Sequence, residues 1–451
     1  MPTSSGRWNP LALAFGGTTP REMPRFIWWC WIVLCGLVLL NGNSIATLAG
    51  WHRQFFSLPL LALCVAVLFG LHSELIHIRR SPANWVYIFA FGFLSVALLS
   101  ALTSPHGNPD RAWEDWGVFR YGTSLLLIST GFCAATRAYA VGRVDAFLKL
   151  LFWLCTIAAI SGYVLAGIPG IEDYLTFQDD EGRLQGVFGN VNELGLQSGY
   201  PVVLGLVLSL RSRRVFWLIL GGIAGAMGVL ASFSKSAMLM LMLLMMLVAW
   251  EGWRARSAFP LIGGTVALMG LAAVLGAIYL LIGITHGTIS LGLNAQQQQR
   301  LEHLNRLLNT GVLDDEMTTG RTSIWVAGFN VWLESPLIGC GLDTFDVVPG
   351  TGMDSHNSFL VILGESGLLG FALFVAMLWA WLTSLWRCKQ GDVRVLGIGF
   401  MLAQSALWMS SGQAMSLRGH NLITGCVLGL LVMSRLPTRA RRGRSLDKGC
   451  G

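Results

Sequence analysis

Long apolar runs separated by short polar breaks recur along the whole chain. A membrane hydrocarbon core about 30 Å thick needs about 20 apolar residues for one helical crossing. Runs of this kind cover residues 26–44, 55–72, 85–103, 121–139, 147–168, 194–210, 215–232, 236–250, 259–284, 358–385, 395–414 and 421–435. The pattern predicts an all-α polytopic membrane protein with about twelve transmembrane helices.

One polar segment, residues 285–357, is much longer than the other breaks. Within it, QQQQRLEHLNRLLNTGVL spaces its leucines as a helix does, and RTSIWVAGFNVWLESP has an amphipathic pattern that ends at Pro336. Both segments suit helices at the membrane interface, where Trp is favoured. The sequence therefore divides into an N-terminal segment (1–25), nine spans (26–284), a helical cap (285–357), three spans (358–435) and a basic tail (436–451).

The positive charges follow the same division. Lys and Arg concentrate in alternate connections, among them RSRR at 211–214, and in both terminal segments. Basic residues mark the cytoplasmic side, so both termini are expected inside and the cap outside. The net charge of +7 is thus a topology signal that also suits contact with anionic membrane lipids, and it does not indicate nucleic-acid binding.

Composition excludes a soluble globular chain, because 54% of the residues are hydrophobic, 12% are charged and the mean hydropathy is +0.60. The nine cysteines show no zinc-ligand spacing, and packing is their expected role. Asp343, Asp346, Asp354 and His356 are conceivable oxygen and nitrogen ligands for a hard divalent ion, but no spacing requires one.

Three cations fall on the predicted outer side, which the positive-inside rule depletes. Arg321 opens the amphipathic helix of the cap, where the helix dipole disfavours a cation, so we expect an anion there, bound by the guanidinium and by the first-turn amides. Arg183 precedes a Gly-rich turn with Asn190 and Asn192 as candidate helix caps, and Lys235 stands at another helix start. Each cation alone suits a loop residue that snorkels to the interface.

His356 lies in GMDSHNSFLVILGESGLLG, directly before an apolar run, with Asp354 and Asn357 beside it. A neutral imidazole can accept a proton from a hydroxyl, and a carboxylate can orient it. A helix-capping role is the alternative. Glu365, about two turns into the run, is costly in lipid unless it faces protein or water, and it suits either an ion pair with an outer cation or a buried hydrogen bond.

These residues resemble a known family. GRTSIW…SPLIGCGLDTF…SHNSFLVILGESGLLG, within residues 320–370, resembles the signature segment of the bacterial O-antigen ligase and polymerase superfamily. GRLQGVFGNVNELG (182–195) is similar to the upstream element of that family, and SFSKSA is similar to one of its turns. The resemblance covers residues 150–436.

The resemblance implies a GT-C-like glycosyltransferase of the bacterial inner membrane with a periplasmic active site. Members move a glycan as a block from undecaprenyl diphosphate to an acceptor hydroxyl, and the resemblance to the ligases implies that no metal or nucleotide cofactor is needed. The two essential arginines and the essential histidine of the ligases fall on Arg183, Arg321 and His356. Lys235 stands where many relatives have Arg.

Residue chemistry and resemblance lead to one hypothesis. The two arginines bind the diphosphate and His356 removes the acceptor proton, with six further candidates for substrate binding: Lys235, Asn190, Asn192, Asp354, Asn357 and Glu365. Ligase-type transfer to lipid A core or a similar surface acceptor is favoured. A polymerase that extends another lipid-linked glycan, and an O-oligosaccharyltransferase for a secreted protein such as pilin, remain open.

Two other classes of membrane protein fit less well. A transporter of lipid-linked glycans would place ionisable residues near the middle of the membrane, whereas the charges here gather at one face. A peptidoglycan polymerase of the shape and division family would need a catalytic carboxylate that has no clear counterpart in this sequence.

Overall fold

A computed structural model describes residues 24–41, 53–80, 83–103, 117–168, 183–188, 190–255, 260–285, 306, 321–342, 344–345, 348, 351, 355–412 and 417–435. Its α-helices are α1 (Arg25–Leu39), α2 (Arg53–Gly70), α3 (Ala83–Thr103), α4 (Gly117–Ala140), α5 (Val144–Ala166), α6 (Val191–Gln197), α7 (Gly199–Ser212), α8 (Phe216–Ser232), α9 (Lys235–Ala255), α10 (Pro260–Thr285), α11 (Arg321–Leu333), α12 (Ser358–Trp386), α13 (Gly391–Ser410) and α14 (Arg418–Arg435). Two 3₁₀ helices, His72–Arg80 and Gly186–Phe188, lie between them.

Every apolar run of the sequence overlaps one of these helices, with α6 and α7 sharing a run. Among the described residues, six helical stretches are long and apolar enough to cross a membrane: Asn84–Thr103, Val144–Ala166, Val191–Ser212, Lys235–Ala255, Ser358–Trp386 and Gly391–Ser410. Four apolar helices in the same part of the chain are shorter. The described part of the chain is thus all-helical and fits a polytopic membrane protein, while the count of twelve spans stays a prediction.

Small residues bring the helices into close contact. Gly131 of α4 faces the backbone of Leu422 in α14, and Gly425 of α14 faces the backbone of Ile128 in return. Gly205 and Gly221 make a similar approach between α7 and α8. Lipid tails are as apolar as the side chains, so close van der Waals packing, rather than the hydrophobic effect, holds such helices together.

Successive long helices run in opposite directions, so the bundle has two ends. We call the end at which α6, α9, α12 and α14 begin the upper end, and the other the lower end. At the lower end, Arg211 donates to Asp145 at 2.6 Å and also pairs with Asp392, which joins the ends of α5, α7 and α13. The connections predicted to be basic and cytoplasmic at 211–214 and 387–394 therefore meet at one end.

The eight cysteines in the described part of the chain are all free and buried. This burial agrees with the expected packing role. Cys340, the cysteine expected on the outer side, lies in a small apolar cluster with Ile324, Phe345 and Leu360.

Candidate functional site

Arg183 begins a short segment that is fixed against the upper ends of three helices. The next residue, Leu184, donates its backbone N–H to the Ala231 carbonyl of α8 at 3.0 Å. The Val187 N–H donates to the Ser161 hydroxyl of α5 at 3.1 Å, and the Asn41 side chain after α1 donates to the Phe188 carbonyl at 3.2 Å. Arg183 is itself half-buried. The hydrogen bonds of the residues that follow Arg183 therefore fix its backbone position at the upper end of the bundle.

Asn190 caps α6, as its position in the sequence predicts. Its Oδ1 accepts from the N–H groups of Asn192 at 2.8 Å and Glu193 at 3.3 Å. Asn192, the other candidate for this cap, lies inside the first turn, and its backbone N–H donates to the Asn190 side chain. The reason is that Asn190 has the extended backbone that a cap requires, with φ −152° and ψ 124°.

Lys235 starts α9 directly after a tight turn. Phe233 adopts a left-handed conformation with φ 47°, and Ser234 is buried. Gly195 of α6 lies against Ser232 and Ala237 of this turn. Arg183, Asn190 and Lys235 are therefore held at neighbouring upper ends of α6, α8 and α9, and together we call them the first cluster.

Arg321 is the first residue of α11, as predicted, and it belongs to the buried face of that helix. Ile324 and Gly328 are buried and Trp325 is half-buried, whereas Thr322 and Ser323 are exposed. Positions 321, 325 and 328 share one stripe of the helix because they are spaced by four and three residues. The Arg321 side chain therefore starts on the face of α11 that packs against α12.

His356 stands immediately before α12 in a left-handed backbone conformation, with φ 48°. The capping role considered for it belongs to Asn357, whose Oδ1 accepts from the N–H groups of Phe359 at 2.9 Å and Leu360 at 3.3 Å. The Trp325 indole N–H donates to the Ser355 carbonyl at 2.9 Å. This bond joins the helix that begins with Arg321 to the turn that contains His356.

Glu365 is fully buried in α12, just before a break in the helix. Gly367 there has φ 61° and ψ −162°, which frees backbone groups on both sides. The loop after α11 forms four backbone hydrogen bonds with these groups. In two of them the loop donates, from Cys340 and Gly341 to the carbonyls of Gly364 and Glu365. In the other two the loop accepts, at the carbonyls of Pro336 and Leu337, from Leu368 and Leu369. We call this four-bond arrangement the clasp.

The clasp also reaches α3. The Leu342 N–H donates to the Ala97 carbonyl at 3.2 Å, and the Ser100 hydroxyl donates to the Gly339 carbonyl. Gly341, with φ 106°, lies so close to α3 that a Cβ would come within 2.6 Å of Ala101 Cα. Part of the segment predicted as cap is thus inserted between helices of the bundle. Arg321, His356 and Asn357 stand at the starts of α11 and α12, and we call them the second cluster; Glu365 lies two turns further along α12.

Helix α13 links the two clusters. It packs against α6, which follows Asn190, and against α12. The Ser358 hydroxyl at the start of α12 donates to the Ser411 carbonyl at the end of α13 at 2.5 Å. Both clusters therefore lie at the upper end, the first on helices that include α6 and the second at the start of α12, which is bonded to the end of α13.

A buried polar pair lies below this region. The Tyr200 hydroxyl is hydrogen-bonded to Nδ1 of His420, and both rings stack near Phe400. Gln197 donates to Glu193 at 2.7 Å one turn above Tyr200. The pair joins α7 to α14 across 220 positions of sequence, so no local pattern indicates it.

Some predicted residues lie outside the described residues. Asp354 is one, and so are Asp343 and Asp346 of the conceivable metal set and the leucine-rich segment of the cap at 301, 304, 307 and 308. Among the residues that the structure does describe, no group of three His, Cys, Asp or Glu side chains is placed to hold a metal ion.

Two guanidinium groups, one ammonium group and an imidazole therefore belong to residues at one end of an apolar bundle. A guanidinium can bind two phosphate oxygens at once, and an imidazole can accept a proton.

Comparison with known protein families gives a match over part of the chain. Residues 220–375 match the family model described as O-Antigen ligase. The matched range includes Lys235, Arg321, His356, Asn357 and Glu365, while Arg183 and Asn190 precede it. A comparison with curated proteins finds no match. The match covers only part of the chain; it shows that this part is similar to the O-antigen ligase family, and it supports a function of that family.

Proposed function

We propose that the protein is a periplasmic-face glycosyltransferase that moves a glycan as a block from undecaprenyl diphosphate to an acceptor hydroxyl. The observation that supports this most directly is the joint position of Arg321 and His356. They lie on adjoining segments within the range that matches the O-antigen ligase family, and a hydrogen bond connects those segments.

In this proposal the arginines bind the donor. Arg321 and Arg183 hold the diphosphate oxygens and offset the negative charge that develops as the glycosidic bond to the diphosphate breaks. Lys235 and Asn190 of the first cluster also contact the donor. Glu365 acts from beneath the second cluster, as a partner of its residues.

His356 serves as the general base. The acceptor oxygen attacks the anomeric carbon, its proton passes to the imidazole, and undecaprenyl diphosphate leaves with the bonding electrons. His356 is half-buried at the upper end, which suits a boundary where a lipid-borne donor and a polar acceptor meet. The mechanism requires no metal or nucleotide.

The proposal includes twelve spans in the inner membrane, with the upper end toward the periplasm and residues 285–357 supplying a cap. The basic connections at the lower end support this orientation, because positive charge favours the cytoplasmic side. Lipid A core is the proposed acceptor.

A deletion strain tests the function and the acceptor together. Loss of polymer-bearing lipopolysaccharide is expected, with lipid-linked glycan accumulating, and the wild-type gene should restore the product while Arg321→Ala and His356→Ala variants should not. His72→Ala, which changes an exposed histidine near the lower end, is the matched control and should restore it fully.

Other outcomes of that experiment are equally informative. Shorter polymer with intact ligation would identify a polymerase, and a loss of sugar from pilin or another secreted protein would identify a protein glycosyltransferase. Wild-type product in cells that contain only the His356→Ala protein would contradict the proposal.

A further inference from the structure

We infer that Trp325 is a positioning residue for His356, and that its indole N–H holds the imidazole where it can accept the acceptor proton. The inference rests on the proposed function, because it assumes that His356 is the base. It assigns to Trp325 a role in the rate of transfer and none in binding the donor.

The first observation is the bond itself. Trp325 Nε1 donates to the Ser355 carbonyl at 2.9 Å, and Ser355 is fully buried. A buried carbonyl that loses its donor is costly, so the turn would rearrange if the indole N–H were removed. The residue whose backbone would move first is the next one, His356.

The second observation is the backbone of His356. Its φ of 48° is uncommon for a residue with a side chain, and such conformations persist where the surroundings enforce them. The residues on its C-terminal side are also fixed. Asn357 caps α12, and the Ser358 hydroxyl donates to Ser411 at the end of α13. Trp325 supplies the corresponding anchor on the N-terminal side.

The third observation is the fixed position of α11. Gly328, one turn beyond Trp325, packs so tightly that a Cβ would lie 2.9 Å from Leu360 Cδ2 and 3.2 Å from Phe345 Cε1. The indole thus projects from a backbone that is held against the first turn of α12. The Arg321 side chain starts from the same stripe of α11, one turn before Trp325. The hydrogen bond from Trp325 to Ser355 therefore fixes the position of the proposed phosphate-binding arginine relative to that of the proposed base.

The chain offers a matched control on the same helix. Trp332 also donates its indole N–H to a backbone carbonyl, that of Pro336 at 3.1 Å. It lies two turns beyond Trp325, at the far end of α11 from Arg321. Trp325→Phe and Trp332→Phe therefore remove the same chemical group from one helix, and only one of the two bonds adjoins His356.

The experiment uses the purified full-length protein with an undecaprenyl-diphosphate-linked oligosaccharide as donor and lipid A core as acceptor. Trp325→Phe is expected to lower kcat about tenfold, which corresponds to about 1.4 kcal/mol of transition-state stabilisation. Its Kd for the donor should stay within about twofold of the wild type, since the arginines are unchanged. Trp332→Phe should preserve both quantities to within about twofold.

A kcat for Trp325→Phe equal to that of the wild type, or equal losses in the two variants, would overturn the inference. So would a donor Kd that weakens in parallel with kcat. If Trp325→Phe does not fold, benzothienylalanine at position 325 keeps the shape of the indole and replaces only its N–H, and the same criteria apply. Activity of His356→Ala reports separately on the proposed function.

Discussion

Arg321 occupies the first position of α11, where the partial positive charge of the helix dipole disfavours a cation by a few tenths to about 1 kcal/mol. The structure adds that this position belongs to the face of α11 that packs on α12. An anion bound between the guanidinium and the first-turn amides would offset the cost, and the diphosphate of the donor is the anion we propose.

This proposal predicts a strong difference between the two basic side chains at position 321. Arg321→Lys keeps the charge but loses the planar pair of N–H donors that bind two phosphate oxygens together. We expect a loss of about tenfold or more in kcat/KM for the lipid-linked donor. Arg254→Lys, near the lower end, is the control and should match the wild type. Full activity of Arg321→Lys would show that a point charge is sufficient.

For single residues, the sequence predicts which side chains cap a helix better than it predicts backbone conformations and long-range hydrogen bonds. The caps at Asn190 and Asn357 follow from local chemistry, since an Asn side chain reaches the amides two and three residues ahead. The left-handed backbone of His356 and the bond from Trp325 to Ser355 do not follow from it. The indole and the carbonyl are 30 positions apart, and only the packing of α11 on α12 brings them together.

Among the helices, α12 has the most distinctive shape, because it breaks at Gly367 and accepts the loop that follows α11. The sequence shows the glycines of GESGLLG and PLIGCG but not that the two segments bind each other. Each backbone bond of the clasp joins residues 24 to 32 positions apart, and no local periodicity encodes such pairing. The clasp links the helix that starts at Arg321 to the helix that follows His356.

Gly367→Ala should therefore be strongly destabilising. A φ of 61° with a ψ of −162° is essentially limited to glycine, and a Cβ would come within 2.5 Å of the Ile338 N atom. We expect a loss of about 1–3 kcal/mol, measured as a lower thermal midpoint in detergent.

Gly222→Ala is the matched control for this substitution. Gly222 lies within α8 and a Cβ there meets no atom within 4 Å, so the variant should be neutral or slightly stabilised. Equal effects at the two positions would contradict the assignment of strain to the kink.

On the scale of the whole molecule, hydrophobic periodicity predicts the helices well. Each apolar run overlaps a helix, because in lipid the backbone must satisfy its own hydrogen bonds and a long apolar segment has few alternatives. Hydrophobic periodicity predicts less well which of these helices are long enough to cross a membrane. Within the part of the chain that the structure describes, six stretches meet the length and apolarity of a span, whereas α1 and α8 are shorter.

Orientation of the bundle gives a direct prediction. Because the eight cysteines of the described residues are buried, single new cysteines can be labelled against a low background once Cys450 is replaced by Ser. Glu334→Cys, exposed after α11, should react with a membrane-impermeant maleimide in spheroplasts, whereas Lys389→Cys, exposed at the lower end, should react only after permeabilisation. The reverse pattern would place the candidate site in the cytoplasm.

The central claim is that this bundle transfers a glycan from a diphosphate-linked lipid with His356 as base. The most direct measurement is release of undecaprenyl diphosphate, coupled to glycan transfer, by purified protein given the lipid-linked donor and lipid A core. We predict release and transfer in equal amounts for the wild type, and neither for a His356→Ala protein that still binds the donor. Equal transfer by the His356→Ala protein, or no product from the wild type with any of the three acceptor classes, would contradict the account.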